Sequence, residues 1–219
     1  MTYLISHLPF ILALVIFSSA VFMHLSKKNA LCILFFAVQS LAVSLLLIIP
    51  ALEEGSLLLM VAALLTLLIK AIVAPFFFLK LIKRHDLVFS VSSYFGLPLI
   101  LIILAALTGL AYGDVFHSLA LLGGENAGAI PLSLSVIFIS IFLTVNRRGA
   151  LSQIIGILSL ENGIMALVTL LGVGQTPGLD IGVSFDIAVW VVIATLFLSM
   201  IHKQFGTLDA SIMKHLKEE

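Results

Sequence analysis

Long apolar stretches alternate along this chain with short connections that hold most of its charged residues. A helix needs about 20 apolar residues to cross the hydrocarbon core of a bilayer. Seven stretches approach this length, at roughly residues 4–24, 30–50, 56–79, 87–112, 129–146, 150–172 and 181–202. Their apolar residues show no period of two, which favours helices over transmembrane strands. The pattern predicts an all-α integral membrane protein of about seven transmembrane helices.

The first stretch and one long connection need separate interpretation. No Lys or Arg precedes Lys27, so we expect residues 1–20 to belong to a first membrane helix rather than to a cleaved signal peptide. The connection from Tyr112 to Gly128 contains a brief apolar run, Val115–Leu122. This run is too short to span a bilayer, and we expect it to lie at the membrane interface.

Composition supports the membrane assignment. Hydrophobic residues make up 62% of the chain and charged residues 10%, and the mean hydropathy is +1.28. Soluble domains carry about 25% charged residues. A soluble chain of this length and composition would have too little polar surface to face water.

The formal net charge of +0 conceals a separation of charge between alternate connections. In the seven-helix topology, basic residues follow the first, third, fifth and seventh helices, whereas acidic residues occupy the others. The basic residues outside the helices are Lys27, Lys28, Lys80, Lys83, Arg84, Arg147, Arg148, Lys203, Lys214 and Lys217. The connections without Lys or Arg hold Glu53, Glu54, Asp114, Glu125 and Asp180. The positive-inside rule then places the N-terminus outside and the C-terminus in the cytoplasm, as expected for a multi-pass protein of the cytoplasmic (inner) cell membrane.

Three ionisable residues fall inside predicted membrane helices. Such a residue costs about 2.5–3.5 kcal/mol near the bilayer centre on insertion scales, and it usually faces a protein interior or confined water. Counting residues from the inner helix ends places Lys70 roughly 15 Å deep and Glu161 roughly 18 Å deep. Asp186 is roughly 8 Å from the outer side. Lys70 and Glu161 are therefore able to meet, and Pro75 frees the carbonyl of Ala71 near Lys70.

The roles of these residues stay open between two interpretations. Burial raises the pKa of a carboxylate and a nearby ammonium lowers it, so Glu161 beside Lys70 is suited to a proton relay. The alternative is a static structural ion pair. Asp186 is either an interfacial residue or the outer end of a proton path.

Uncharged polar residues fall at a similar depth. Gln39, Ser40, Thr66 and Asn162 could extend a hydratable layer across the bundle, and each could equally be a hydrogen bond that packs two helices. The chain has no Walker A loop, no nucleotide fingerprint and no cysteine cluster. We therefore expect no catalytic centre, cofactor or metal in this chain and no nucleic-acid partner.

Four runs of residues resemble the component E membrane subunit of hydrogenase-4 and formate hydrogenlyase. They are Leu68–Pro75, Gln153–Gly163 (with Leu160-Glu161-Asn162-Gly163), Gly182–Asp186 and Phe205–Asp209. In that family, helices five to seven are similar to the small three-helix subunit of respiratory complex I and of multi-subunit cation/proton antiporters.

The resemblance implies a division of the chain and a set of partners. Residues 1–128 would form a four-helix half, 129–204 the three-helix half, and 205–219 a cytoplasmic tail, either frayed or a docking segment. Glu161 matches the first membrane glutamate of the three-helix subunit. Asp186 roughly matches the second, but as an Asp nearer the outer surface. Lys70 has no counterpart there.

The implied partners are a membrane anchor subunit, an antiporter-like proton-pumping subunit and a peripheral hydrogenase arm that holds nickel–iron and iron–sulfur centres. We therefore expect a non-catalytic subunit of a membrane-bound oxidoreductase, in which Glu161, Lys70 and Asp186 form a proton relay. Two alternatives remain. One is a purely structural spacer, in which bulky residues at Gly156 or Gly163 would dissociate the complex. The other is a subunit of a cation/proton antiporter.

Overall fold

The computed structural model describes residues 7–53, 55, 57–84 and 93–172, and each of its elements is helical. The predicted seventh helix (181–202), Asp186 and the tail 205–219 lie outside the described residues. We number the helices α1 (Leu8–Leu25), α2 (Asn29–Glu53), α3 (Leu57–Thr66), α4 (Ala74–Arg84), α5 (Leu97–Ala111), α6 (Asp114–Leu122), α7 (Ile130–Asn146) and α8 (Ala150–Leu171). A π-helical segment, Leu67–Val73, joins α3 to α4, and a short 3₁₀ turn, Gly124–Asn126, precedes α7.

Four helical spans in the described part are long and apolar enough to cross a membrane: Leu8–Leu25, Asn29–Glu53, Ala63–Lys80 and Ala150–Leu171. Helices α5 and α6 together make a fifth candidate, bent by 59°. Helix α7 is apolar but has only 17 residues. The protein is therefore all-helical over the described residues, with four to five possible spans. The count of seven and the orientation of the termini remain predictions.

The predicted fourth helix began too early. Its predicted range was 87–112, but α5 starts at Leu97, after the non-helical residues Ser93–Gly96. The backbone N–H groups of Tyr94 and Phe95 bond to the carbonyl and to the side-chain oxygen of Asn146. Since these two N–H groups bond to Asn146 and a proline lies in the first turn of α5, residues 93–96 do not join the helix. Residues 87–92 of the predicted range lie outside the described residues.

The third predicted helix ended too soon. It continues past residue 79 to Arg84, so Lys80 and Lys83 lie on α4 rather than in a connection. Residues 79–84 contain leucine, lysine, isoleucine and arginine and no glycine or proline, so nothing in the local sequence stops the helix.

Helix α2 is central to the packing. It contacts α1 on one side, α8 on another, and the continuous α3–π–α4 helix along a third, while α7 and α8 form an antiparallel hairpin. One apolar core includes Phe36 of α2, Ile139 of α7 and Ile155 of α8. The core thus joins the first 128 residues to the segment that follows them.

The distribution of polarity is that of a protein in lipid. Large apolar side chains are exposed on several helices, for example Leu34, Ile72, Phe76, Ile102 and Val145, which are 55–67% exposed. Small polar side chains are buried instead, among them Ser40, Ser44, Ser135, Ser140 and Ser159. Buried hydroxyl groups and exposed leucines suit a membrane bundle, in which polar side chains form hydrogen bonds between or within helices.

The fold separates the described charges by end. The side chain of Arg147, after α7, bonds to the end of α1, so the α1–α2 and α7–α8 turns share one end of the bundle. Glu53, Asp114 and Glu125 belong to connections at the opposite end, which the alternating helix directions define. The described part thus follows the alternation of charge that the sequence predicted.

Gly156 and Gly163 lie against α7 of the same chain. A Cβ atom at position 156 would lie 2.9 Å from the backbone nitrogen of Thr144, and one at 163 would lie 3.0 Å from the Cγ1 methyl carbon of Val136. Both glycines thus permit the close approach of α7 and α8 within the chain. The effect of bulky residues at these positions on a complex stays a prediction.

We predict that Gly156→Ala destabilises the purified chain by about 1–3 kcal/mol, because the added methyl group overpacks the α7–α8 contact. Gly109→Ala is the matched control, since a Cβ there meets nothing within 4 Å and alanine favours a helix. Thermal unfolding in detergent measures both. Equal melting temperatures for the two variants would contradict the proposed close approach.

Candidate functional site

Lys70 lies in the π-helical segment, and Pro75 explains why the π-helical hydrogen bonds end at Ala74. The N–H of Ala74 bonds to the carbonyl of Ile69, five residues back. The next bond in the same register would run from residue 75 to Lys70, but Pro75 has no N–H. π-Helical turns occur often at functional sites, and this one carries a lysine that is only 1% exposed.

Lys70 and Glu161 form an ion pair. The Lys70 Nζ atom is 3.1 Å from Glu161 Oε1. Lys70 lies near the middle of the candidate span Ala63–Lys80, and Glu161 lies near the middle of Ala150–Leu171. The structure therefore brings together two oppositely charged residues that are 91 positions apart in sequence, at a depth where a single charge would be costly.

The two partners differ in their access to the surroundings. The Lys70 side chain is 1% exposed, whereas that of Glu161 is 26% exposed. Breaking a buried pair by removing one partner typically costs about 3–5 kcal/mol, because the remaining charge is left uncompensated. Each residue thus keeps the other charged within the bundle, and Glu161 is the partner with a route outward.

A hydrogen-bonded amide layer lies next to the ion pair. Asn162 Nδ2 donates to Gln39 Oε1 at 3.2 Å and to Ser40 Oγ at 2.9 Å. Gln39 Nε2 in turn donates to the carbonyl of Ile16 at 3.4 Å. Gln39, Ser40 and Asn162 are each 0% exposed, so the layer joins α1, α2 and α8 in the core.

Thr66 is the remaining predicted polar residue within the described part. It is 2% exposed and lies one helical turn before Lys70 on the same side of the helix. Asp186 lies outside the described residues, so its place in a relay remains a prediction. The structure thus brings Lys70 to Glu161, and Gln39 and Ser40 to Asn162.

The geometry permits proton exchange between the pair. A lysine ammonium beside a carboxylate can pass one proton across the hydrogen-bond distance, which leaves a neutral amine and a neutral acid. Adjacent residues of α8, Glu161 and Asn162, connect the pair to the amide layer.

Arg147 is a structural residue that the sequence did not reveal. It was assigned to a basic connection, yet it is 2% exposed. One of its terminal nitrogens donates to the carbonyl oxygens of Met23 (2.6 Å), His24 (2.9 Å) and Ser26 (3.3 Å). These carbonyls lack intrahelical partners at the end of α1, and a cation at a helix C-terminus is favourable. Burial lowers the pKa of Arg147 from its usual range, but a guanidinium remains charged in proteins.

Two further buried polar contacts lie between the basic end and the amide layer. His24 Nε2 is 3.0 Å from the carbonyl of Ile139, and its ring stacks on Phe142 with centroids 5.1 Å apart. Because a carbonyl only accepts, the hydrogen bond assigns the ring proton to Nε2. Deeper in the bundle, the hydroxyls of Ser140 and Ser159 are 2.7 Å apart. No short motif marks these residues, since each contact joins distant positions.

Comparison with known proteins gives one relative of unknown function. The chain is 30% identical over 118 residues to the uncharacterized protein Rv0085 of Mycobacterium tuberculosis. The match covers 54% of this chain and 54% of that protein, so the chain spans about half the length of the curated relative it matches. No family model matches the chain, and no solved structure matches it.

We predict that Lys70→Met and Glu161→Gln each destabilise the chain, with the larger loss, about 3–5 kcal/mol, for the Glu161→Gln variant, because it leaves the fully buried Lys70 ammonium unpaired. The double variant should recover part of this loss, because it removes both charges. Thermal unfolding of all four proteins in the same detergent gives the coupling energy. Strictly additive losses would show that the two side chains do not interact.

Proposed function

We propose that this chain is a membrane subunit of a complex I-like hydrogenase or formate hydrogenlyase complex. In this proposal it contributes to proton translocation and joins the membrane anchor subunit to the antiporter-like subunit within the cytoplasmic membrane. The observation that carries the proposal is the ion pair of Lys70 and Glu161, 3.1 Å apart near the middle of two candidate spans.

The proton step follows from the unequal exposure of the two partners. Glu161, at 26% exposure, takes up a proton from one side and loses its negative charge. Lys70, which is 1% exposed, then lacks its counter-charge and releases its own proton towards the opposite side of the membrane. The proton on Glu161 then passes to the neutral Lys70 amine and restores the ion pair. Each cycle would move the proton through the pair, and redox change in the peripheral arm would alter the hydration or spacing of these groups.

The resemblance to component E also supports Glu161 as the residue that carries the proton. The run Leu160-Glu161-Asn162-Gly163, which carries the likeness to component E, supplies three features of the site from one turn of α8. Glu161 provides the carboxylate, Asn162 provides the amide that bonds α2, and Gly163 allows the close contact with α7. A proton-carrying acid held by rigid packing suits translocation better than one on a loose surface.

The joining role rests on the outer surfaces of the helices. Exposed leucine, isoleucine and phenylalanine side chains cover α2, α4 and α5, and on α8 Ile157 and Ile164 flank Glu161. Such surfaces pack against lipid or against other membrane subunits. A chain with no apparent catalytic residues and several apolar faces is suited to lie between larger subunits.

A purely structural spacer is the second candidate, and the same pair provides its support. Lys70 is almost completely enclosed, and the amide layer beside it fixes α2 against α8. A static pair would hold the α3–π–α4 helix against α8 without moving protons. Lys70→Met and Glu161→Gln would then affect stability alone.

We predict that Glu161→Gln lowers redox-linked proton translocation by the assembled complex about 10²-fold, the lower end of what a positioned acid–base group contributes. Glutamine keeps the size of the side chain but cannot carry the proton. Glu125→Gln, in the 3₁₀ turn before α7, is the control and should retain translocation. Proton uptake into sealed vesicles, measured together with hydrogen turnover, gives both values.

Translocation at the wild-type level by an assembled Glu161→Gln complex would exclude the relay and leave the spacer. Purification of the intact complex in mild detergent, with identification of the chains that accompany it, tests the assignment of partners. Hydrogenase subunits are the expected companions. A complex that contains antiporter subunits and no hydrogenase arm would identify the third alternative, a cation/proton antiporter.

A further inference from the structure

The two turns at the basic end of the bundle form a positively charged corner, which we define as Lys27, Lys28 and Arg148 together with Tyr94. We propose that this basic corner binds the phosphate group of an anionic phospholipid. The inference does not depend on whether the chain moves protons, since it concerns how the bundle is held at one membrane surface.

The turns are bonded to each other. Arg147 donates to the carbonyl of Ser26 at 3.3 Å, and Ser152 Oγ donates to Asn29 Oδ1 at 3.3 Å. Lys27 and Lys28 follow Ser26 directly, and Arg148 follows Arg147. Three cations therefore lie within two residues of a bonded contact, and both lysines are exposed.

No acidic side chain compensates these cations among the residues that the structure describes. The first turns of α2 and α8, which start at this corner, contain no Asp or Glu. Glu53, Asp114 and Glu125 are at the other end of the bundle, and Glu161 is paired in the interior. The exposed side-chain charges at this corner are therefore positive, so the corner favours an anion.

Arg148 is placed to donate to that anion. Its guanidinium carbon lies over the Tyr94 ring, 4.7 Å from the ring centroid. The Arg148 side chain is half-buried, and its Nε–H has no hydrogen-bond acceptor among the described residues. Guanidinium groups bind phosphate oxygens with strong, charge-assisted hydrogen bonds. Arg147 already donates to three carbonyls, so Arg148 is the arginine that remains to bind the anion.

Apolar surface adjoining the corner favours a lipid over a free anion or an acidic protein. Phe22 of α1, Leu31 and Leu34 of α2 and Val145 of α7 lie within three turns of the charged residues and are 41–67% exposed. Tyr94 is itself 48% exposed, and tyrosine is enriched at the level of lipid headgroups. A ligand with a phosphate group and hydrocarbon tails matches both parts of this surface.

The test compares two pairs of lysines at the same end of the bundle. The full chain, delipidated in neutral detergent, is titrated with short-chain phosphatidylglycerol or phosphatidylcholine, and bound lipid is measured by native mass spectrometry. Wild type should bind the anionic lipid preferentially. Lys27→Gln/Lys28→Gln should bind it about 30-fold more weakly, which is about 2 kcal/mol for two charges near a membrane surface.

Lys80→Gln/Lys83→Gln is the matched control, because it removes the same charge from exposed positions on α4 and should retain the affinity. Lys27→Arg/Lys28→Arg keeps both charges and should also bind the anionic lipid. Its binding shows that substitution at these two positions does not by itself cause misfolding and loss of affinity. Equal weakening by both glutamine pairs would overturn the site in favour of diffuse basic charge. If inorganic phosphate alone protected the chain from thermal unfolding as strongly as phosphatidylglycerol does, the ligand would be a free anion, and the lipid proposal would be wrong.

Discussion

The structure depends on one constraint: a charge inside the bilayer must be paired with an opposite charge. Lys70 and Glu161 meet this constraint by lying 3.1 Å apart near the middle of two candidate spans. Neither is tolerable alone at that depth, so the α3–π–α4 helix and α8 must remain close to each other, with α2 packed against both. The π-helical turn, the amide layer of Gln39 and Asn162, and the helix contact at Gly163 all lie around this pair.

The same principle explains the rest of the polar groups. Hydroxyl and amide side chains turn inward and bond across helices, as Ser140 and Ser159 do. Arg147 is buried at the basic end only because three backbone carbonyls at the end of α1 accept its hydrogen bonds. The exposed cations that remain, Lys27, Lys28 and Arg148, have no acidic partner among the described residues, and there the phosphate of a lipid is the natural counter-charge.

The parts of this arrangement that follow from local composition could be predicted, and those that follow from distant contacts could not. The helix of residues 150–172 was predicted within one residue of its observed end because its apolar run and glycine boundaries are local features. The depth of Lys70 and Glu161 was estimated from residue counts alone. The late start of α5 could not be predicted, since Tyr94 and Phe95 bond to Asn146, some 50 positions away. The burial of Arg147 was missed for the same reason. For the amide layer, the sequence predicted only that its residues lie at a similar depth in the membrane. Their contacts could not be predicted, because the rotation of each helix about its axis depends on its neighbours.

An experimental structure of the chain within its purified complex, reconstituted in a lipid nanodisc, tests the central claim most directly. The account predicts density for the Lys70 ammonium within about 4 Å of the Glu161 carboxylate, the usual limit for an ion pair, and no acyl chain in contact with Lys70. Lys70 against lipid tails, or the two side chains on faces of the bundle that do not meet, would contradict it.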